Sequence, residues 1–125
     1  MLFATIVLWF GVVAFGFFGV LFLVKFDYLA EKLGIVTGAS GRVDLIATYV
    51  GFEIGFAIFL ALCALEPERV RLGLIASGLA FAGFGTARAG ALIFHHKGAA
   101  KILYAVLALE TVGTALSFWA AHRLA

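Results

Sequence analysis

The chain is 125 residues long, and 65% of its residues are hydrophobic while only 13% are charged. A soluble domain contains about 45–50% apolar and about 25% charged residues, so this composition excludes an ordinary soluble domain. The formal net charge of +2 does not indicate nucleic-acid binding, and the single cysteine excludes an intrachain disulfide. With a mean hydropathy of +1.16, the sequence predicts an integral membrane protein.

Apolar segments of membrane-spanning length account for most of the chain. A hydrocarbon core of about 30 Å requires about 20 apolar residues in a helix. The predicted spans are Leu2–Val24, Val43–Leu65, Val70–Phe94 and Ala100–Ala121. The connections are too short for a further domain, so we predict a single domain over residues 1–125. Its expected fold is an all-α, antiparallel bundle of four transmembrane helices.

The first connection, Lys25–Arg42, is the longest and carries an amphipathic pattern. Its apolar residues Leu29, Leu33 and Val36 share one helical face, and charged residues occupy the other. This pattern predicts a short interfacial helix between spans one and two. The alternative is an irregular loop that does not contact the membrane.

Basic residues are distributed unevenly between the two predicted sides of the membrane. The first and third connections share a side and contain five of them, against three on the other side: Lys25, Lys32, Arg42, Lys97 and Lys101 against Arg69, Arg71 and Arg123. Because cytoplasmic loops are enriched in Lys and Arg, we expect both termini to lie outside.

Three ionisable residues lie deep within predicted spans. Glu53 and Glu110 are each nine residues inside a span from its polar start, which corresponds to about 13 Å at 1.5 Å per residue. Arg88 lies seven residues before His95, or about 10 Å from that span's end. Each such charge costs about 2.5–3.5 kcal/mol at a helix centre. Their common depth predicts a buried polar cluster on three helices.

Further polar residues are candidates for the same cluster. Tyr49 is four residues before Glu53 and shares its helical face, and Tyr49 and Tyr104 are expected to donate hydrogen bonds nearby. Asp44 lies about 180° from Glu53 by helical arithmetic. Either a site role or a helix cap near the membrane surface is consistent with Asp44.

The charges of the cluster do not balance, because Arg88 is the only deep cation beside Glu53 and Glu110. We therefore expect one of the two glutamates to be protonated near neutral pH. The cluster has three interpretations: a structural network that fixes helix register, a ligand-facing or catalytic pair, or a path for protons or ions. Arg88 could alternatively extend its side chain to the membrane surface.

Other chemistry is not indicated. Adjacent side chains such as His95 and His96 point apart on a helix, and no Cys or carboxylate spacing completes a metal site. No nucleotide or nucleophile motif occurs. We therefore predict no metal, and the sequence names no cofactor.

The stretch DLIATYVGFEIG resembles a family of short bacterial four-helix membrane proteins catalogued as a domain of unknown function. The matching positions are Asp44, Ala47, Thr48, Tyr49, Gly51 and Gly55, and Arg88 and Glu110 match later positions of the family. Ile46 and Val50 depart from the usual Arg and Gly. The resemblance implies a four-helix fold in a bacterial cytoplasmic (inner) membrane, but no activity. DoxX-like and sterol-isomerase-like bundles are similar only in architecture.

Three functions follow as expectations. The first is an accessory or ligand-binding module that holds an amphiphile or a partner helix against the polar cluster. The second is an isomerase that uses the paired glutamates as acid and base on a lipid-soluble substrate. The third is a proton or ion carrier. The expected partners are membrane lipids, a lipid-soluble small molecule, and a larger membrane complex or a second copy of the chain, but not nucleic acid.

Overall fold

The computed structural model describes residues 1–125, and its regular structure is entirely helical. The helices are α1 (Leu2–Val24), α2 (Phe26–Leu33), α3 (Ala39–Ile46), α4 (Glu53–Leu65), α5 (Val70–His95) and α6 (Ile102–Arg123). A π-helical segment, Ala47–Phe52, joins α3 to α4 without a break, and a 3₁₀ turn, Pro67–Arg69, joins α4 to α5. Four helices are long and apolar enough to cross a membrane, which confirms the predicted number of spans.

The predicted helix boundaries differ from the structure mainly at the start of span two. The first span coincides with α1, whereas the second begins at Ala39 instead of Val43. Ser40 and Gly41 fall within the predicted first connection, but both are helical. A glycine inside a helix costs only about 1 kcal/mol, and the extended backbone of Gly38 marks the actual helix start.

The helix predicted in the first connection is present as α2, although its apolar face is shifted. Phe26, Leu29 and Ala30 are buried and pack with Phe22 of α1 and Val50 of the π-helical segment. Val36 was expected on this face but is 96% exposed. The reason is Gly34, whose left-handed backbone (φ 69°) ends α2 before Val36.

The main core lies between α1, α4, α5 and α6 and depends on close helix contacts. A Cβ on Gly73 would lie 2.7 Å from the Cβ of Cys63, and a Cβ on Gly113 would lie 2.7 Å from the Phe81 ring. These separations are too short for real carbon contacts. The two glycines therefore allow neighbouring helices to approach closely.

The contacts between α5 and α6 run in opposite residue order along the two helices. Along α5 and α6, Gly78 lies against Phe118 and Gly85 lies against Glu110, so residue numbers rise on one helix while they fall on the other. The outer surface of the bundle exposes large apolar side chains on every long helix, including Phe17, Leu62 and Leu79. Such extensive apolar exposure is unusual for a soluble monomer.

Candidate functional site

The π-helical segment positions the first acidic side chain of the site. π-Helical turns are rare and often occur at functional sites, and this one ends immediately before Glu53. The Thr48 hydroxyl donates a hydrogen bond to the Asp44 carbonyl at 3.0 Å, and such side-chain bonds compete with the regular backbone ladder. Gly51 adds conformational freedom within the same segment. These residue types are compatible with a π-helix, but they do not predict one.

A cavity of about 430 Å³ opens beside this segment. It is lined by residues of α1, α2, α5 and α6, together with Tyr49 and Glu53. Most of the lining side chains are hydrophobic, and Phe15 and Phe81 belong both to its wall and to the packed core. Ligand pockets in proteins generally measure about 300–1,000 Å³ and combine an apolar wall with a few polar groups. The cavity has both properties.

Two members of the predicted polar cluster form an ion pair in the cavity wall. The Arg88 Nε donates to both carboxylate oxygens of Glu110 at 3.1 and 3.0 Å, and Nη2 donates to Oε1 at 2.8 Å. The Glu110 side chain is 6% exposed and that of Arg88 is 25% exposed. Gly85 of α5 lies beside this pair, and a Cβ there would be in ordinary contact with Glu110 at 3.4 Å. The predicted contact between these two charges is therefore observed.

Glu53 lies in the same cavity wall but is not part of this ion pair. The residue is 8% exposed, and its Oε2 atom is buried without any hydrogen-bond partner. Its Cβ packs near Gly19 of α1, so Glu53 lies with the α1–α4 pair while the ion pair joins α5 to α6. The expected three-residue cluster is thus an ion pair and a separate acid that face one cavity.

The structure places two of the candidate site residues outside the cavity. Tyr104 is 48% exposed and Asp44 is also exposed, and neither lines the cavity. Tyr104 lies six positions before Glu110, so the expectation that it belongs to the cluster is wrong: its side chain points about 120° away around α6. Asp44, for which a position near the membrane surface was the alternative to a site role, lies at the surface near the start of its span. Of these further candidates, Tyr49 is placed as expected: it lines the cavity with its ring stacked on Phe22, at 4.5 Å between centroids.

Sequence reasoning missed the basic residues of the cavity. Lys32 of α2 and Lys101, which precedes α6, both line it, although the sequence indicated a role for them only in membrane orientation. Tyr28 accompanies Lys32, whose Nζ lies 5.5 Å from the ring centroid. The polar face of α2 can be identified in the sequence, but its position near α6 depends on the fold.

No protein-family model, curated protein or solved structure matches the chain. The function is therefore inferred from the cavity itself. Its chemistry comprises one unpartnered carboxyl, one internally satisfied ion pair and an extensive apolar wall. This combination can hold a largely apolar molecule and form a hydrogen bond with a polar group on it.

Proposed function

We propose that the protein is an antiparallel four-helix bundle of a bacterial cytoplasmic membrane, with both termini outside and α2 at the membrane surface. Four apolar helices of spanning length, an apolar outer surface and the opposite order of contacts along α5 and α6 support this arrangement. The excess of basic residues in the first and third connections supports the orientation. The resemblance of DLIATYVGFEIG to the family of unknown function agrees with a four-helix fold in a bacterial membrane.

Within that membrane, the protein acts as a binding module for a lipid-soluble amphiphile. The observation that carries this proposal is the Glu53 carboxyl, which lines a cavity of about 430 Å³ and whose Oε2 atom is buried without a hydrogen-bond partner. A buried polar group without a hydrogen bond costs about 1–3 kcal/mol. A polar group of a ligand that hydrogen-bonds to this carboxyl offsets part of that cost when it binds.

Two other interpretations of the polar residues fit the geometry less well. A purely structural network would satisfy all of its members, whereas Glu53 has no partner. The volume of about 430 Å³ lies within the range of small-molecule sites, about 300–1,000 Å³, so a small molecule is the occupant that we propose instead of a helix.

Purification of the protein with its surrounding native lipid, followed by mass spectrometry of extracted small molecules, tests the proposal. We expect at least one compound to be enriched over the bulk membrane. Val106→Phe places a ring in the cavity wall, while Val112→Phe makes the same change on the exposed face of α6. The first variant should lose the compound and the second should keep it. No enriched compound, or equal loss in both variants, would contradict the proposal.

An isomerase is the second candidate, and the unpartnered carboxyl is also what favours it. A general acid–base group must be free to exchange a proton with its substrate. Glu110 is held by Arg88, so Glu53 alone would remove a proton from one carbon and return it to another. In that case Glu53→Gln should retain the bound compound and lose its conversion. Conversion that persists in Glu53→Gln would exclude this candidate.

A further inference from the structure

The cavity has two chemically different ends, and together they specify its ligand more closely. Its deep end contains Glu53 and the Arg88–Glu110 pair, and its other end contains Lys32 and Lys101. Glu53 and Glu110 are the only carboxylates in the lining. The basic end therefore has no acidic group in the cavity wall to neutralise it.

The deep end favours a neutral hydroxyl group. A ligand carboxylate would face two glutamates, so like charges oppose it. An ammonium has only donors, whereas a hydroxyl can donate to a carboxylate and can accept from a carboxylic acid. The hydroxyl therefore pairs with the Glu53 carboxyl, which lines the cavity, in either protonation state.

The basic end favours an anion. Lys32 and Lys101 come from different elements, α2 and the turn before α6, and both line the cavity. Neither acid of α2, Asp27 or Glu31, lines the cavity, and Asp27 is paired with Arg42. Two ammonium groups with no acid in the shared wall complement a carboxylate or phosphate oxygen.

The two ends lie at different levels of the bundle, because Lys101 precedes α6 and lies nine residues before Glu110. We propose that the cavity takes an elongated amphiphile with an anionic group at Lys32 and Lys101 and a hydroxyl group at Glu53. This inference rests on the proposed binding function and adds the chemical class of the ligand.

Three probe series test the inference: ω-hydroxy fatty acids of increasing chain length, the same acids without the hydroxyl, and the corresponding long-chain alcohols without the carboxylate. Each probe displaces a fluorescent fatty acid from the protein in phosphatidylcholine nanodiscs, and empty nanodiscs correct for partition into lipid. We expect the hydroxyl to improve affinity about 5- to 10-fold and the carboxylate about fivefold. The hydroxyl gain should peak at one chain length and fall for shorter and longer probes, because the two ends of the cavity are a fixed distance apart.

Matched variants assign each gain to one end. The hydroxyl gain should disappear in Glu53→Leu and persist in Glu53→Gln, which keeps a hydrogen-bonding group and controls for misfolding. The carboxylate gain should disappear when Lys32→Gln and Lys101→Gln are combined. It should persist in Lys97→Gln, because Lys97 is a nearby surface residue outside the cavity.

The outcomes separate this inference from the proposed function. If the probes bind the original protein without any gain from the hydroxyl, and Val106→Phe abolishes their binding, the proposed ligand class is wrong. The proposed binding function would still hold. A hydroxyl gain that survives Glu53→Leu would overturn it as well. Displacement by phosphatidylglycerol in the bilayer, with no hydroxyl preference, would identify an ordinary membrane lipid instead. No binding above empty nanodiscs, for any probe, would contradict both proposals.

Discussion

Replacement of Arg88 by leucine should leave the buried Glu110 carboxylate without its ion-pair partner and destabilise the bundle. Three hydrogen bonds of 2.8–3.1 Å join the two side chains, and the Glu110 side chain is only 6% exposed. Removing one partner of a buried ion pair costs about 3–5 kcal/mol. Because the Arg88 side chain is 25% exposed, we expect the lower end of this range, about 3 kcal/mol. Arg71→Leu is the matched control on α5: its side chain is exposed, and the effect should stay within about 0.5 kcal/mol.

A double-mutant cycle distinguishes the cost of an unpaired buried charge from the cost of lost packing. Replacing both Arg88 and Glu110 with leucine should bring stability back to within about 1 kcal/mol of the original protein, since apolar pairs substitute well for buried ion pairs. The free energy of unfolding can be measured by denaturant titration in mixed micelles, with helix content followed by circular dichroism. If Arg88→Leu alone were as stable as the original protein, or if the double variant were less stable than both single variants, the reasoning would fail.

Three further predictions concern other parts of the bundle. Glu53→Gln should change the free energy of unfolding by no more than about 0.5 kcal/mol, because Oε2 has no partner to lose; a larger loss in the same titration would indicate a hidden contact. Gly73→Ala should lower the free energy of unfolding by about 1–3 kcal/mol, since its Cβ would lie 2.7 Å from α4. The control is Gly83→Ala on the same helix, where a Cβ meets open space, and it should raise the free energy of unfolding by about 0.5–1 kcal/mol in the same titration. A hydrogen bond from Arg42, together with its charge, lowers the pKa of Asp27. Their ion pair therefore persists at neutral pH and is lost as the pH falls through that lowered pKa. An NMR titration of the Asp27 carboxyl should show the pKa returning upward in Arg42→Gln.

The sequence predicted the helices well because their signals are local. A run of apolar residues bounded by charges defines a span without reference to the rest of the chain, and α1 matches its predicted range from Leu2 to Val24. Helical arithmetic also put Arg88 and Glu110 at one depth, and the structure pairs them. Depth and face are properties of a single helix, so both can be derived before any packing is known.

The parts that the sequence did not predict depend on several elements together. The π-helical segment ends at Glu53, and no residue pattern distinguished it from an ordinary helix. The expected three-way cluster required knowledge of which helices are neighbours: Glu53 packs toward Gly19 of α1, while Glu110 of α6 pairs with Arg88 of α5. The contribution of Lys32 to the cavity likewise depends on how α2 folds back over the bundle.

The bundle is closed at one end and open at the other, and this asymmetry explains how a small chain can keep an unpartnered acid. On the closed side, Gly73 and Gly113 allow the helices to touch, and Leu8, Leu60 and Leu74 are completely buried. On the open side, the cavity is lined by residues of α1, α2, α5 and α6, and Tyr49 and Glu53 complete its wall. Burial at the closed end stabilises the fold, and this stabilisation offsets the free-energy cost of the unpartnered Glu53 carboxyl. The residues that provide it do not contact the ligand. Substitutions at Gly73 should therefore reduce stability without changing which probe the cavity prefers, whereas Glu53→Leu should change the preference without unfolding the bundle. If both substitutions altered probe preference to the same degree, the two ends would not be independent, and the cavity would be a consequence of loose packing instead of a site.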